Sequence, residues 1–276
     1  MMLEPYTAIL DAPAPPAADQ MTAQRLPDPI AIGAVGGSGT RLLANMLRAT
    51  GICMGTPLNK AGDALEWPPM AKLLAAPALN AMDRTSALAL VLHAFESLML
   101  VTQEKEGMQG RAGWKVPGTF HWLGELSAYF SGLQYIHIIR HGLDMAYSNN
   151  RNQAQNWAAT FDLELRYTDT GKVHPHSQME YWLLANERAV SYGQKYLGDR
   201  FLLVRFEDLC ERPAEAITRL FAFLQQPLSD ATAATLASMV EAPSSIGRYR
   251  QQPWREHITA SQLERLERLG YSTDAD

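Results

Sequence analysis

The stretch GAVGGSGTRLLANML, residues 33–47, ends an apolar run, passes through clustered glycines and enters a segment of helical period. The run leading into it, IAIGAV (30–35), has the composition of a buried parallel strand. A strand, a glycine-rich turn and a helix read as the opening unit of an α/β sheet. In such sheets the amides at the helix N-terminus point outward, which makes this turn the usual seat of a phosphate or other anion. Gly36, Gly37 and Gly39 let the backbone wrap closely round an oxyanion, Ser38 and Thr40 offer hydroxyls, and Arg41 is expected one turn into the helix. A nucleoside-triphosphate loop would carry lysine after its last glycine, whereas Gly39 is followed by Thr40 and Arg41. An ATPase reading weakens accordingly. A tight turn that holds no ligand is the alternative for this loop taken alone.

Three further runs, AGWKV (112–116), YIHIIR (135–140) and FLLVRF (201–206), read as strands. Helical periods cover Arg41 to Thr50, much of Pro69 to Lys105, Thr119 to Phe130, the stretch after Gly142, Gln178 to Tyr196, Pro213 to Leu224, Ser229 to Val240 and Thr259 to Leu269. Strands separated by helices predict a doubly wound, mainly parallel sheet flanked by helices. Residues 1–28 are rich in Pro and Ala and read as an N-terminal arm, leaving 29–276 as one domain. A net charge of −5 argues against a nucleic-acid surface and leaves room for a local basic pocket. Cys53 and Cys210 supply neither a disulfide framework nor a metal spacing. No stretch reads as a signal peptide or a membrane span, so the expectation is a cytoplasmic protein.

A second anion site is expected from YIHIIRHGLDMAYSNN (135–150). Arg140 ends a strand, and Ser148 follows eight positions later, after a turn that can bring its hydroxyl back toward the guanidinium. Forked guanidinium donors match phosphate oxygens, and a hydroxyl adds a directional bond. Asp144 reads as a cap or brace for the following helix. His137 and His141 have a metal-ligand spacing for a helix but lie on a strand and its exit, so zinc is discarded and no metal is expected.

Taken together, these segments resemble the sulfotransferases that use 3′-phosphoadenosine 5′-phosphosulfate (PAPS). The resemblance rests on Ser38-Gly39-Thr40 in the glycine loop and on the Arg140/Ser148 pair. FLLVRFEDLCERPAEAITRLFAFL (201–224) and SSIGRYRQQPW (244–254) add to it, and all four pieces lie in the family's order between about Pro29 and Tyr271. It implies a P-loop-like fold and in-line sulfuryl transfer from PAPS to a hydroxyl of a small-molecule or carbohydrate acceptor. Under it, the glycine loop holds the 5′-phosphosulfate, Arg140 and Ser148 hold the 3′-phosphate, and Arg248 and Arg250 close over the nucleotide as a mobile basic strap. Most members carry Lys or Arg immediately before the serine, where this chain has Gly37. Arg41 and Lys115, the latter at a strand end, are the candidates to supply the missing cation.

Transfer also needs a base for the acceptor proton. The segment MGTPLNKAGDALEWPPM (54–70) lies where carboxylate-using members place theirs, so Glu66 is the first choice and Asp63 the alternate. His121, among Phe120, Trp122 and Leu123, is a third candidate and reads equally as a packed residue. The polar, aromatic stretch from Asn149 to Gln178 reads as a lid or a solvated loop, with Trp157 and Tyr167 as its aromatic platforms. Two other functions remain open at this point: an ATP-dependent phosphotransferase, and a nucleotide-binding relative without transfer chemistry.

Overall fold

Alternate residues of a strand face opposite sides of a sheet, and the central strands of this chain are apolar on both. Ile30, Ile32, Ile136 and Ile138 enter one core, while Ala31, Tyr135 and Ile139 enter the other. A computed structural model describes residues 25–74 and 76–273. Its sheet has four strands, β1 (Ile30–Gly33), β2 (Gly113–Lys115), β3 (Gln134–Ile139) and β4 (Phe201–Arg205), all parallel in the order β2-β1-β3-β4. Every residue of β1 and β3 is buried, as expected for strands covered on both faces. The edge strand β4 alternates between buried and partly exposed positions.

The principal helices in chain order are α1 (Thr40–Ala49), α2 (Met70–Leu74), α3 (Arg84–Lys105), α4 (Gly142–Ala146), α5 (Asn152–Trp157), α6 (Pro175–Tyr192), α7 (Pro213–Leu224) and α8 (Ala260–Arg268). One face of the sheet is covered by α1 and α7 through Leu43, Leu47, Ile217 and Phe221. The other is covered by α3, α6 and α8 through Phe95, Met99, Trp182 and Leu266. The parallel order sets the carboxyl ends of all four strands along one edge. Lys115, the glycine loop after β1, Arg140 and Phe206 therefore emerge side by side.

The helix predicted over much of Pro69 to Lys105 is interrupted. Pro77 opens a separate short turn, Pro77–Asn80, and α3 restarts after Asp83, whose carboxylate accepts the Ser86 NH at 3.0 Å. Likewise α6 begins at Pro175 rather than Gln178, because proline is accommodated at the first helical position. Against the expectation that no segment has the length and apolarity of a membrane span, α3 has both, with a mean hydropathy of 1.5. One face of it is packed, whereas Leu90 and Leu98 are exposed. Val91, Leu92, Phe95 and Met99 are buried, and so is Glu96, whose carboxylate accepts the Leu26 NH and the Tyr129 hydroxyl, each at 2.8 Å. Residues 1–24 of the expected N-terminal arm lie outside the described residues. Within its last four residues, Leu26 is buried in the core.

Candidate functional site

The loop between β1 and α1 turns twice through left-handed backbone, at Gly37 (φ +100°) and Gly39 (φ +97°). A side chain at Gly39 would collide with Phe206, its Cβ falling 2.3 Å from Cδ2. Gly37 has more space around it, but its φ disfavours any L side chain, a lysine or arginine included. No side chain caps the N-terminus of α1, and no acidic residue occupies its first turn. Its amides and positive dipole end are thus available to an anion.

A cleft of about 1270 Å³ opens over this loop. Gly36, Gly37, Gly39, Thr40 and Arg41 line it, together with Asp63 and Lys115. Gln153, from α5, accepts the Gly36 NH at 2.7 Å. Ser38 departs from its expected role. It is buried, and its hydroxyl donates back to the Val35 carbonyl at 2.7 Å, bracing the loop from behind rather than pointing into the cleft.

Lys115 ends β2 with its side chain buried. Its Nζ donates to Asp63 Oδ1 at 2.5 Å and to the Ala61 carbonyl at 2.7 Å. Burial lowers its pKa, with the Asp63 carboxylate pulling the other way. Asp63 Oδ2 accepts from Asn59 Nδ2 at 2.8 Å, and Arg41 Nε donates to the same Ala61 carbonyl at 3.2 Å. The turn at 59–63 therefore gathers an ammonium, a guanidinium and a carboxylate on one wall.

Glu66 is not on that wall. It is buried, with Oε1 accepting the Thr56 NH at 2.7 Å and the Thr102 hydroxyl at 2.8 Å, and Oε2 enclosed without a partner. The two carboxylates do not share a face because residues 61–67 form an irregular stretch, bridged to Leu58 through Ala64, instead of a helix. His121 is also turned from the cleft. It stacks on Trp157 at 4.6 Å with the Phe120 ring tilted against it at 4.1 Å, and burial lowers its pKa to about 3, leaving a neutral imidazole. His137 is enclosed between the Tyr135 hydroxyl at 2.7 Å and Asn186 Oδ1 at 2.8 Å, and burial lowers it to about 4. His141 faces a different set, stacking on Tyr249 at 4.9 Å.

Arg140 and Ser148 are both buried, but no hydrogen bond joins them among the described residues. Arg140 Nη2 donates to Ser245 Oγ at 2.9 Å, its Nε is buried and unpartnered, and the guanidinium lies 5.2 Å above the Phe206 ring. Ser148 Oγ accepts the Asn150 NH at 3.1 Å. Neither side chain lines the main cleft; Arg140 adjoins it through Phe206, which does. Arg248 donates through Nε to the Ser245 carbonyl at 3.1 Å, and burial and the nearby Arg140 charge both lower its pKa. Arg250 lies with its guanidinium 5.9 Å from the Tyr249 ring.

Two hydrogen bonds to one carboxylate tie down the segment carrying these arginines. Asp144 is buried, and its carboxylate accepts the NH groups of Gly247 at 2.8 Å and Tyr249 at 3.3 Å. Sequence reasoning gave Asp144 a local bracing role and missed this long-range one. It also missed Ser245, Asn59 and Gln153, all of which lie in stretches singled out for other residues. Within 149–178, Trp157 lines the cleft, whereas Tyr167 pairs with Val173 in an exposed hairpin and does not.

Residues 29–230 match the model of a family described as the sulfotransferase family. Among solved structures, a sulfotransferase domain from the curacin biosynthetic pathway is 17% identical with a TM-score of 0.56, over 90% of this chain and 99% of that one. Sulfotransferase STF1 of Mycobacterium tuberculosis H37Rv is 16% identical with a TM-score of 0.53, over 90% and 79%. The sulfotransferase domain of the Synechococcus PCC 7002 olefin synthase is 17% identical with a TM-score of 0.51, over 92% and 98%. At these identities the likeness is one of fold. Comparison with curated protein sequences finds no match.

Proposed function

The chain belongs to the sulfotransferase family, and from that premise we propose that it transfers a sulfuryl group from PAPS to the hydroxyl of an acceptor bound in the same cleft. The observation that carries this reading is the Lys115–Asp63 contact of 2.5 Å on the wall of the cleft over the uncapped N-terminus of α1. It sets a cation for a leaving oxygen beside a carboxylate for an acceptor proton.

PAPS supplies an electrophilic sulfur whose leaving group is the 5′-phosphate of the nucleotide. The amides of Gly37, Gly39 and Thr40, the Thr40 hydroxyl and the α1 dipole suit that phosphate, while Lys115 and Arg41 replace the cation missing at Gly37. Such donors contribute most when fixed beforehand where charge develops. Lys115 fits that requirement, being held by the Ala61 carbonyl and Asp63. Asp63 is assigned the acceptor proton in place of Glu66, because it lines the cleft and Glu66 does not. A second anion suits Arg140 and Arg248, with Ser148 and Arg250 nearby in sequence. Arg140 Nε is unpartnered, and its charge acts against that of Arg248, which the Asp144 carboxylate offsets in the opposite sense, so a bound anion would add a partner for both guanidiniums.

Label transfer tests the proposal. With [³⁵S]PAPS and a panel of hydroxyl acceptors, radioactivity is expected in an organic sulfate; with [γ-³²P]ATP and the same panel, none. Phosphoryl transfer, or an inert protein that binds nucleotide, would overturn it.

A further inference from the structure

The cleft is larger than one ligand needs. Sites for drug-sized molecules span about 300–1,000 Å³, and this one measures about 1270 Å³. It is also divided by chemistry. Two of its amide side chains belong to the glycine-loop end, where ideal Cβ atoms built on Gly36 would lie 3.2 Å from the Gln153 amide carbon and 3.4 Å from Asn150 Nδ2. Leu65, Trp67, Met70, Val116, Trp122 and Trp157 also line the cleft, with the exposed Asn156 beside the last of these. Lys72, exposed, brings the charge nearest in sequence to that wall.

Two of these indoles are fixed from behind. Trp67 stacks on the buried Trp114 at 5.7 Å and meets Phe95 edge-on at 5.3 Å. Trp157 stacks on the neutral His121 at 4.6 Å, with Phe161 beside that imidazole at 5.7 Å. Both rings line the cleft while anchored in this way, so they present flat apolar surfaces at little cost in side-chain entropy. A sugar would stack on such rings, but apart from those that reach Asn156 or Lys72 its remaining hydroxyls would lose water and meet leucine, methionine and valine. Buried hydroxyls without partners weigh against binding, whereas an apolar skeleton gains by the same burial.

Resting on the sulfotransferase reading for its chemistry, we infer that the acceptor hydroxyl is carried on an apolar, ring-bearing skeleton and not on a sugar. The acceptor's oxygen faces Asp63 and Lys115, and its carbon framework lies against Trp67 and Trp157. The wall on which this rests is formed by the segment 64–70, the residues after β2, and α5.

Intrinsic tryptophan fluorescence tests the assignment on the full chain, because the indoles that define the wall also report on it. A naphthol and a methyl glycoside are titrated separately, each with and without the desulfonated nucleotide, 3′-phosphoadenosine 5′-phosphate (PAP). The naphthol is expected to quench fluorescence and to bind at least roughly tenfold more tightly than the glycoside. Trp157→Ala should weaken naphthol binding by a similar factor and leave PAP binding unchanged, and Trp157→Phe should restore most of it. A glycoside that binds as well as the naphthol, or a naphthol affinity indifferent to Trp157→Ala, would overturn the inference. The nucleotide-free titrations keep the two readings apart: a protein that binds the naphthol but not PAP contradicts the donor, and one that binds PAP but not the naphthol contradicts the acceptor.

Discussion

Asp144 Oδ2 accepts the backbone NH of Gly247 at 2.8 Å across 103 residues of sequence. With the Tyr249 NH on its other oxygen, this buried carboxylate pins the segment that carries Ser245 and Arg248 beside Arg140. Hydrogen bonds to a charged group contribute about 1.5–3 kcal/mol each. Asp144→Ala should therefore accelerate amide exchange at Gly247 and Tyr249 by tenfold or more without nucleotide, and weaken PAP binding. Exchange mass spectrometry on residues 244–254, with circular dichroism to verify the fold, gives both readouts. A segment that exchanges freely in the wild type would show that the fastening is absent in solution.

The two candidate bases separate cleanly. Asp63→Asn removes the carboxylate on the cleft wall and should lower turnover by on the order of 10² to 10⁴, the usual contribution of a general base. PAP binding should change little. Glu66→Gln retains an acceptor oxygen for the Thr56 NH and the Thr102 hydroxyl and should keep turnover within a few-fold of wild type. The reverse pattern in single-turnover rates would return the role to Glu66.

That pair also marks the limit of what the sequence discloses. The glycine loop, the four strands and the order of the segments singled out as candidate anion sites are legible because each is a local pattern, a run or a spacing that backbone geometry enforces. Asp63 and Glu66 differ by three positions, which on a helix would put them on one face. The chain turns there instead, and only the packing of Thr56 and Thr102 turns Glu66 inward. Gln153 meets Gly36 across 117 residues, and Arg140 meets Ser245 across 105. No local pattern encodes partners so distant.

Lys115 carries a pH signature. Burial lowers its pKa below the ordinary lysine value of 10.5, and the Asp63 contact opposes that without reversing it. If its ammonium neutralises the leaving oxygen, turnover should fall with a unit slope as pH rises, on a limb lying below 10.5. Lys115→Arg should carry that limb out of range while keeping some activity, and Lys115→Met should cost on the order of 10² to 10³ at neutral pH. A flat profile up to pH 10.5 would remove Lys115 from the chemistry.

Acid should destabilise the fold through its buried histidines. His121 and His137 have folded pKa values lowered to about 3 and about 4, against 6.5 for a free imidazole. Between these limits the unfolded chain takes up protons that the native one refuses. Stability thus falls as pH drops below 6.5, by at most about 1.4 kcal/mol per pH unit for each histidine. His121→Phe keeps an aromatic ring against Trp157 and should flatten that dependence by one proton's worth. Urea midpoints measured from pH 7 to pH 4 would reveal it, and an unaltered slope would mean His121 is not held neutral.

The central claim is that the cleft and the adjoining arginines read a 3′,5′-bisphosphate nucleotide. Calorimetry of PAP against 5′-AMP on the same protein measures this directly, because the two ligands differ only in the 3′-phosphate. PAP is expected to bind at least tenfold more tightly, since one charge-assisted bond of about 1.5–3 kcal/mol already gives that factor. Arg140→Ala should erase most of the difference while leaving the affinity for 5′-AMP unchanged. Equal affinity of the wild-type protein for the two nucleotides would contradict the account.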